Sequence, residues 1–359
     1  MRVGLVIYGS LDSVSGGYLY DRKLVEALRR AGDQVDVISL PWRSYARHLT
    51  DNWSADLISQ MARDYDVLLQ DELNHPSLAW ANGRMKPPRP LLVSIVHHLR
   101  VSEPRPRWQN RFYRLVERHF LRSVDAFIFN SHTTRRAVEE IIDCQLPHVV
   151  AYPGGDHLPA SPMPRTAALL PENSPLRLQF VGNLIPRKGL HTLLRALVRV
   201  KGDWRLSVVG SHSVDPAYAR RMLRMAEDSG IGQRIAWPGP LSDNELAGEM
   251  ASADVLAVPS EYEGFGIVYL EGMRFGLPAL ATTAGAASEI ITDGENGFLV
   301  EPGDAQGLGS RIEALASDRD RLARMSAAAR RRYASHPTWE ATTTAIREFL
   351  VELLNREHG

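Results

Sequence analysis

Two hydrophobic patterns alternate along the chain. Short unbroken apolar runs fill Val3–Tyr8, Gln34–Ser39, Val67–Gln70, Leu91–His97, Ala126–Asn130 and His148–Tyr152. Between them, stretches such as Tyr20–Ala31 and Thr133–Ile142 space their apolar residues three and four apart. Continuous Val/Ile/Leu runs suit parallel strands buried on both faces, and the spaced stretches suit helices. The alternation predicts a doubly wound α/β sheet. It breaks over HLPASPMPRTAALLPENSPL, His157 to Leu176, which is rich in Pro and Ser and lacks a period. A second series follows at Arg177–Val181, Arg205–Val209, Arg234–Trp237, Val255–Val258, Ala279–Thr282 and Gly297–Val300. Two domains of one class are therefore expected, 1–160 and 177–335, joined by a linker at 161–176 and flanking a cleft. Ligands are expected beyond the carboxyl ends of their strands. The tail, 336–359, carries Ile346, Phe349, Leu350, Leu353 and Leu354 at helical spacing and predicts a packing helix.

Composition narrows the function. A chain of 359 residues exceeds one typical core. Lys+Arg and Asp+Glu are both 42, so nothing in the overall charge argues for nucleic acid. Lysine stands only at Lys23, Lys86, Lys188 and Lys201, so a lysine inside a motif carries weight. The one cysteine, Cys144, excludes an intrachain disulfide and a zinc site built on several thiolates; the cytosol fits. The opening MRVGLVIYGS reads as a first buried strand, too short for a signal peptide or a span.

The densest chemistry lies in PSEYEGFGIVYLEGMRFGLP, Pro259 to Pro278. A strand ends at Pro259-Ser260. Glu263 precedes a Gly264-Phe265-Gly266 turn, and Ile267, Val268 and Glu271 fall in the helix that follows. The glycines permit a tight turn and close approach of a ligand to the backbone. The helix start offers unpaired N–H groups and partial positive charge, a ready anion site. Two carboxylates beside a phosphate would repel it, so each must aim at hydroxyls or at a carbon that gains positive charge.

This segment resembles the E-x7-E motif of the retaining nucleotide-sugar glycosyltransferases of family four and its relatives, which have the GT-B fold. The likeness runs on through GLPALATTAGAASEIITDGENGFLVEPGD, Gly276 to Asp304. It implies two Rossmann-like domains facing a central cleft, the C-terminal helix crossing back to the N-terminal domain. It implies that Glu263 contacts the transferred sugar, that Glu271 binds the ribose, and that the amides of Phe265, Gly266, Ile267 and Val268 hold the diphosphate. FVGNLIPRKGLHTLLRAL, Phe180 to Leu197, is similar to the family's V-G-R-L-x-x-x-K-G. It places Gly182 in the donor site and the diphosphate lysine at Lys188. The usual arginine falls on Asn183, a neutral donor, unless Arg187 reaches in. YGSLDSVSGG resembles the opening glycine loop and puts Gly16-Gly17 near the donor phosphates or the acceptor. LLVSIVHHLR resembles the family's strand ending in His-Asp. His97 is then the family histidine, near sugar or acceptor, and His98 replaces the acid.

The family chemistry implied is hexose transfer by front-face attack, with the leaving phosphate taking the acceptor's proton and Glu263, His97 and Lys188 carrying catalysis. No cofactor and no metal are expected. Asp64-Tyr65-Asp66 and Asp318-Arg319-Asp320 match a metal-holding Asp-x-Asp pair in letters but lie outside the site region. The donor base, uracil, guanine or adenine, stays open; backbone near Trp237–Leu241 is expected to contact it. The acceptor is a small molecule, glycan or lipid. Asp71, Glu72 and His75 are candidates to line its side. Leu99–Ser123 alternates Arg with aromatics and reads either as an amphipathic helix with solvated arginines or as a grip on a phosphorylated acceptor or membrane surface. A cytoplasmic protein, with or without a peripheral membrane contact, follows. The rival readings are another GT-B enzyme, of phosphorylase or epimerase type, and a non-catalytic nucleotide-sugar-binding module.

Overall fold

The computed structural model describes residues 1–103, 105–143, 145–159 and 174–357. Cys144 and most of the expected linker, 161–173, lie outside the described residues. The chain forms two compact units, Met1–Pro153 with Pro337–Gly359, and Gly154–His336.

The first unit is built on β1 (Arg2–Tyr8), β2 (Gln34–Leu40), β3 (Val67–Asp71), β4 (Leu91–Val96), β5 (Ala126–Phe129) and β6 (His148–Val150). All pair in parallel, in the order β2-β1-β3-β4-β5-β6. Strands β3, β4 and β5 are buried along their whole length, which is why they read as unbroken apolar runs. The helices are α1 (Gly16–Arg30), α2 (Tyr45–Thr50), α3 (Ala55–Met61), α4 (His75–Leu78), α5 (Arg107–Leu121) and α6 (His132–Ile142). Ser15 and Ser131 cap α1 and α6 by accepting from Tyr18 N and Thr134 N.

The second unit contains β7 (Leu176–Val181), β8 (Trp204–Val209), β9 (Ile235–Gly239), β10 (Val255–Ala257), β11 (Ala279–Thr282) and β12 (Gly297–Val300). Its helices are α7 (Leu190–Leu197), α8 (Pro216–Asp228), α9 (Asp243–Ser252), α10 (Ile267–Arg274), α11 (Ala305–Ser317) and α12 (Arg319–Ala334). The sheet is parallel in the order β12-β11-β10-β7-β8-β9. The chain starts at β7, winds out to β9, then returns to the other flank of β7 with β10. The winding direction reverses between β7 and β10, and ligands of such sheets bind beyond the strand ends at that point. In the first unit the reversal falls between β1 and β3.

The last helix, α13 (Trp339–Glu357), belongs to the first unit. Its Ile346 and Leu350 are fully buried, the Trp339 ring meets Tyr20 edge-on at 5.7 Å, and Thr342 Oγ1 donates to Tyr152 O at 2.5 Å. Arg347 Nε donates to Asp33 Oδ2 at 2.7 Å. Among the described residues no helix is long and apolar enough to cross a membrane.

Candidate active site

Glu263 sits where the ends of β7 and β10 converge. After β7 the chain passes through Gly182 and Asn183 into a single 3₁₀ turn, Pro186–Lys188. Gly189 follows with φ +72, and a Cβ there would lie 1.9 Å from Pro259 O, so only glycine lets this loop lie against the end of β10. Glu261 N donates to Arg187 O at 2.8 Å, and Arg187 Nη1 donates to Tyr262 O at 3.0 Å. The two loops are thus pinned together. Lys188 Nζ donates to Glu263 Oε1 at 2.5 Å, Ser260 Oγ donates to the same oxygen at 2.6 Å, and Arg187 Nη1 is 3.8 Å from Oε2. The Glu263 carbonyl accepts from Ala286 N at 2.9 Å, which fixes its backbone from the β11 side.

Glu263 is 7% exposed. Burial pushes its carboxyl up, but the Lys188 and Arg187 charges, with the bonds from Lys188 and Ser260, outweigh burial and hold it at about 2. The site therefore presents a fixed carboxylate among two cations. Such a group orients hydroxyls and faces developing positive charge, while Lys188 and Arg187 remain beside it for an anion.

Three residues on, Gly266 takes φ 92 and serves as the N-cap of α10. At the start of α10, Gly266, Ile267 and Val268 have backbone N–H groups without intrahelical partners. Tyr269 anchors it from within, donating to Val258 O at 2.9 Å. Glu271 lies one turn into α10, 8% exposed, with His157 Nε2 3.3 Å from its Oε1. Burial, helped by the Asp243 charge and opposed by Lys188, pushes Glu271 up to about 7. The two glutamates of one motif thus differ: one is held ionised, the other titrates near neutrality.

The N-terminal candidates gather in the first unit. His97 follows β4 and its Nε2 is 3.1 Å from Asp21 Oδ1 of α1. The first turn of α1 backs the ring: a Cβ on Gly17 would lie 3.1 Å from His97 Cδ2. Asp21 is fully buried, and Asp71, the last residue of β3, lies within ligand distance of both. Burial pushes His97 down, but the Asp21 charge and hydrogen bond, with Asp71 and Glu72, carry it up to about 9. His98 turns away and meets Glu103 Oε1 at 3.1 Å.

One expectation changes. Glu72 and His75 do not line an open surface; they are buried at 3% and 2% exposure, because β3 ends under α5 and the turn after it folds inward. The Asp64–Asp66 pair serves the strand edge, Asp66 Oδ2 accepting from Arg2 N at 2.7 Å. Asp318 caps α12 by accepting from Arg321 N at 2.7 Å. Pattern reading missed Asp21, which looks like one more polar residue of an amphipathic helix, and Ser260, whose spacing of three from Glu263 was its one signal.

Helix α5 buries Val116, Glu117, Phe120 and Leu121. It exposes Trp108 (71%), Phe112 (44%) and Leu115 (66%), with Arg107, Arg111, Arg114 and Arg118 exposed as well.

The family model "Glycosyl transferases group 1" matches residues 167–332, and "Glycosyltransferase Family 4" matches residues 18–157. The chain is 31% identical over 242 residues to a D-inositol 3-phosphate glycosyltransferase of Xylanimonas cellulosilytica, an alignment covering 62% of this chain and 57% of that protein. The chain spans about half the length of the first curated relatives it matches. The sucrose-phosphate synthase of Thermosynechococcus elongatus superposes with TM-score 0.85 at 21% identity over 99% of both chains. Anabaena HepE in complex with UDP-glucose superposes with TM-score 0.78 at 21% identity, over 98% of this chain and 100% of that one. At these identities the structures establish the fold, GT-B.

Proposed function

Since the chain belongs to the glycosyltransferases that these two family models describe, we propose that it moves a hexose from a nucleotide-diphosphate sugar to an acceptor. In this reading the anomeric configuration is retained and no metal takes part. The bond from the sugar carbon to the diphosphate oxygen breaks as the acceptor oxygen bonds on the same face, and the leaving phosphate oxygen takes the acceptor's proton. The observation that carries the reading is Glu263, buried and charged between Lys188 and Arg187, immediately before the glycine-capped start of α10.

Lys188, Arg187 and the amides from Phe265 to Val268 stabilise the diphosphate as negative charge collects on it. Two cations beside Glu263 offset the neutral Asn183 at the family's arginine position. Glu263 faces the oxocarbenium-like sugar; its short bond to Lys188 weakens it as a nucleophile and suits an electrostatic, positioning part. Glu271 accepts from the ribose hydroxyls. Gly182 and Gly16-Gly17 bring backbone close to the ligand, and His97 acts near the transferred sugar or the acceptor.

The acceptor is a small molecule, glycan or lipid. A lipid acceptor, or a peripheral site of action at the inner membrane face, agrees with the exposed Trp108, Phe112 and Leu115 stripe flanked by arginines. The test of the donor is a thermal-shift series with UDP, GDP, ADP and their common sugar conjugates, with and without added magnesium. A ligand bound only by the folded state raises the melting temperature. One base stabilising the protein equally with and without magnesium is the expected result. No shift with any nucleotide would instead favour a module that has lost transfer.

A further inference from the structure

The second unit carries a groove that the transfer chemistry does not use. It encloses about 360 Å³ and is lined by His191 and Arg195 of α7, Arg221 and Met222 of α8, and Glu261. That volume stands at the lower end of ligand-pocket sizes and suits one small molecule. Lys188 and Glu263 do not line it; they face each other instead. We propose that this groove binds a small phosphorylated polyol, with Arg195 and Arg221 on the phosphate and Glu261 accepting from the hydroxyls.

The two arginines are cations without acids. Both are exposed, and neither forms an ion pair among the described residues. The sequence denies them a local partner. Three and four positions from Arg195 stand His191, Thr192, Val198 and Arg199. Around Arg221 the same positions hold Ala217, Tyr218, Arg224 and Met225. No carboxylate is spaced to neutralise either guanidinium from its own helix.

The fold brings the pair to one place. Tyr218 is fully buried and pins α8 to the start of α7: its hydroxyl accepts from His191 N at 3.1 Å and lies 2.9 Å from His191 Nδ1. Arg195 stands one turn beyond His191, and Arg221 one turn beyond Tyr218. Both helices run back along a parallel sheet, so these two turns advance in the same direction. The Arg221 guanidinium lies 5.0 Å from the Tyr218 ring centre, a cation–π contact that holds it at the groove.

The groove is polarised along its length. His191 Nε2 is 3.7 Å from Glu261 Oε1, which puts the carboxylate at the His191 end and the arginines one turn beyond it. Burial, with the Arg195 and Arg221 charges, pushes His191 below its ordinary value, the mark of a positive field left uncompensated. A phosphate supplies the missing charge, and guanidinium groups hold it through charge-assisted hydrogen bonds. Glu261 would repel a second anionic group, so the rest of the ligand must be neutral and donate. Hydroxyls do both, and Met222 offers apolar surface to the carbon skeleton.

The experiment titrates the full chain calorimetrically with glucose 6-phosphate, glycerol 3-phosphate, glucose and inorganic phosphate. Both polyol phosphates should bind at a single site, more tightly than inorganic phosphate, and glucose should not bind detectably. The double variant Arg195→Ala with Arg221→Ala, checked for folding by circular dichroism, should weaken them roughly tenfold or more, as expected for lost charged hydrogen bonds. Lys188→Ala should bind them as the parent does. A folded parent that binds neither polyol phosphate overturns the site. So does affinity that survives the double variant; its loss in Lys188→Ala would then place the phosphate at the donor cations. Inorganic phosphate binding as tightly as the polyol phosphates would overturn the ligand class. Vesicles containing phosphatidic acid test a lipid source: sedimentation lost in the double variant, with no binding of the soluble phosphates, would overturn a soluble ligand. Should the double variant misfold, Arg195→Glu decides. It should abolish binding, and parent-like affinity overturns the site.

Discussion

Lys188 and Glu263 share a 2.5 Å hydrogen bond across 75 residues of chain, and that bond joins the loop after β7 to the loop after β10. In the proposed transfer it would couple charge on the diphosphate side to the carboxylate on the sugar side. Lys188→Ala should therefore do more than weaken donor binding. Turnover should fall roughly 100- to 1000-fold, the range for loss of one preorganised electrostatic group. A buried carboxylate left without its partner should also cost about 3 kcal/mol of stability. Steady-state kinetics and denaturant melts of the same variant check both; parent-like turnover would remove Lys188 from the site.

Glu271 supplies a pH signature. Its folded value, raised to about 7, lies above the ordinary glutamate range, so the folded state holds the extra proton. Its contribution to stability is full below the unfolded value of about 4.3 and is lost as pH rises through about 7. Ribose hydroxyls donate to the ionised form, so donor affinity should rise about tenfold per pH unit below 7 and level off above it. Calorimetric titration of nucleotide across that range checks it. Glu271→Gln should flatten the profile and bind more weakly; an unchanged slope would dissociate Glu271 from the ribose.

His97 is held as a cation by a carboxylate that pattern reading overlooked. Being raised to about 9, it adds stability that is full below its unfolded value of about 6.5 and vanishes as pH climbs through 9. Asp21→Asn should bring the imidazole midpoint down by more than one unit in a proton NMR titration. His97→Ala should slow transfer more than it weakens nucleotide binding. Equal losses would move His97 out of the acceptor-side role.

The close approach at Gly189 yields a stability prediction independent of catalysis. A methyl group there meets Pro259 O, and φ +72 is unfavourable for any other residue. Gly189→Ala should cost roughly 1–3 kcal/mol and lower the melting temperature. A melting temperature equal to the parent's would show that the two loops are not packed as described.

For α5, Trp108→Ala with Leu115→Ala should leave folding intact, since both side chains are exposed. Sedimentation with vesicles containing anionic lipid should drop several-fold relative to the parent. Equal sedimentation would exclude the stripe as a membrane contact.

The strands were legible from their apolar runs, which β3, β4 and β5 carry unbroken because both their faces are buried; Gly or Pro directly follows β1, β2, β7 and β8. Boundaries moved by at most two residues, as at His97, which follows β4 rather than ending it. The glutamate pair was legible because strand, glycine turn and helix stand together in one local stretch. What escaped was long-range. The Asp21–His97 bond spans 76 residues, and Glu117 looks like any polar position of α5 until the fold brings it to Glu72. Local spacing carries no information about such pairs. The burial of Glu72 and His75 was hidden for the same reason.

The return of α13 to the first unit sets an order of events during synthesis. The Met1 ammonium contacts Asp33 at 2.8 Å, and Arg347 grips the same carboxylate, so the first and last parts of the chain complete one structure. On the ribosome, the whole second unit must emerge between them, a wait of roughly ten to forty seconds at ordinary synthesis rates. The nascent first unit spends that interval with the seat of α13 bare. The second unit, contiguous in the chain, can finish folding while its elder neighbour is still waiting to be closed.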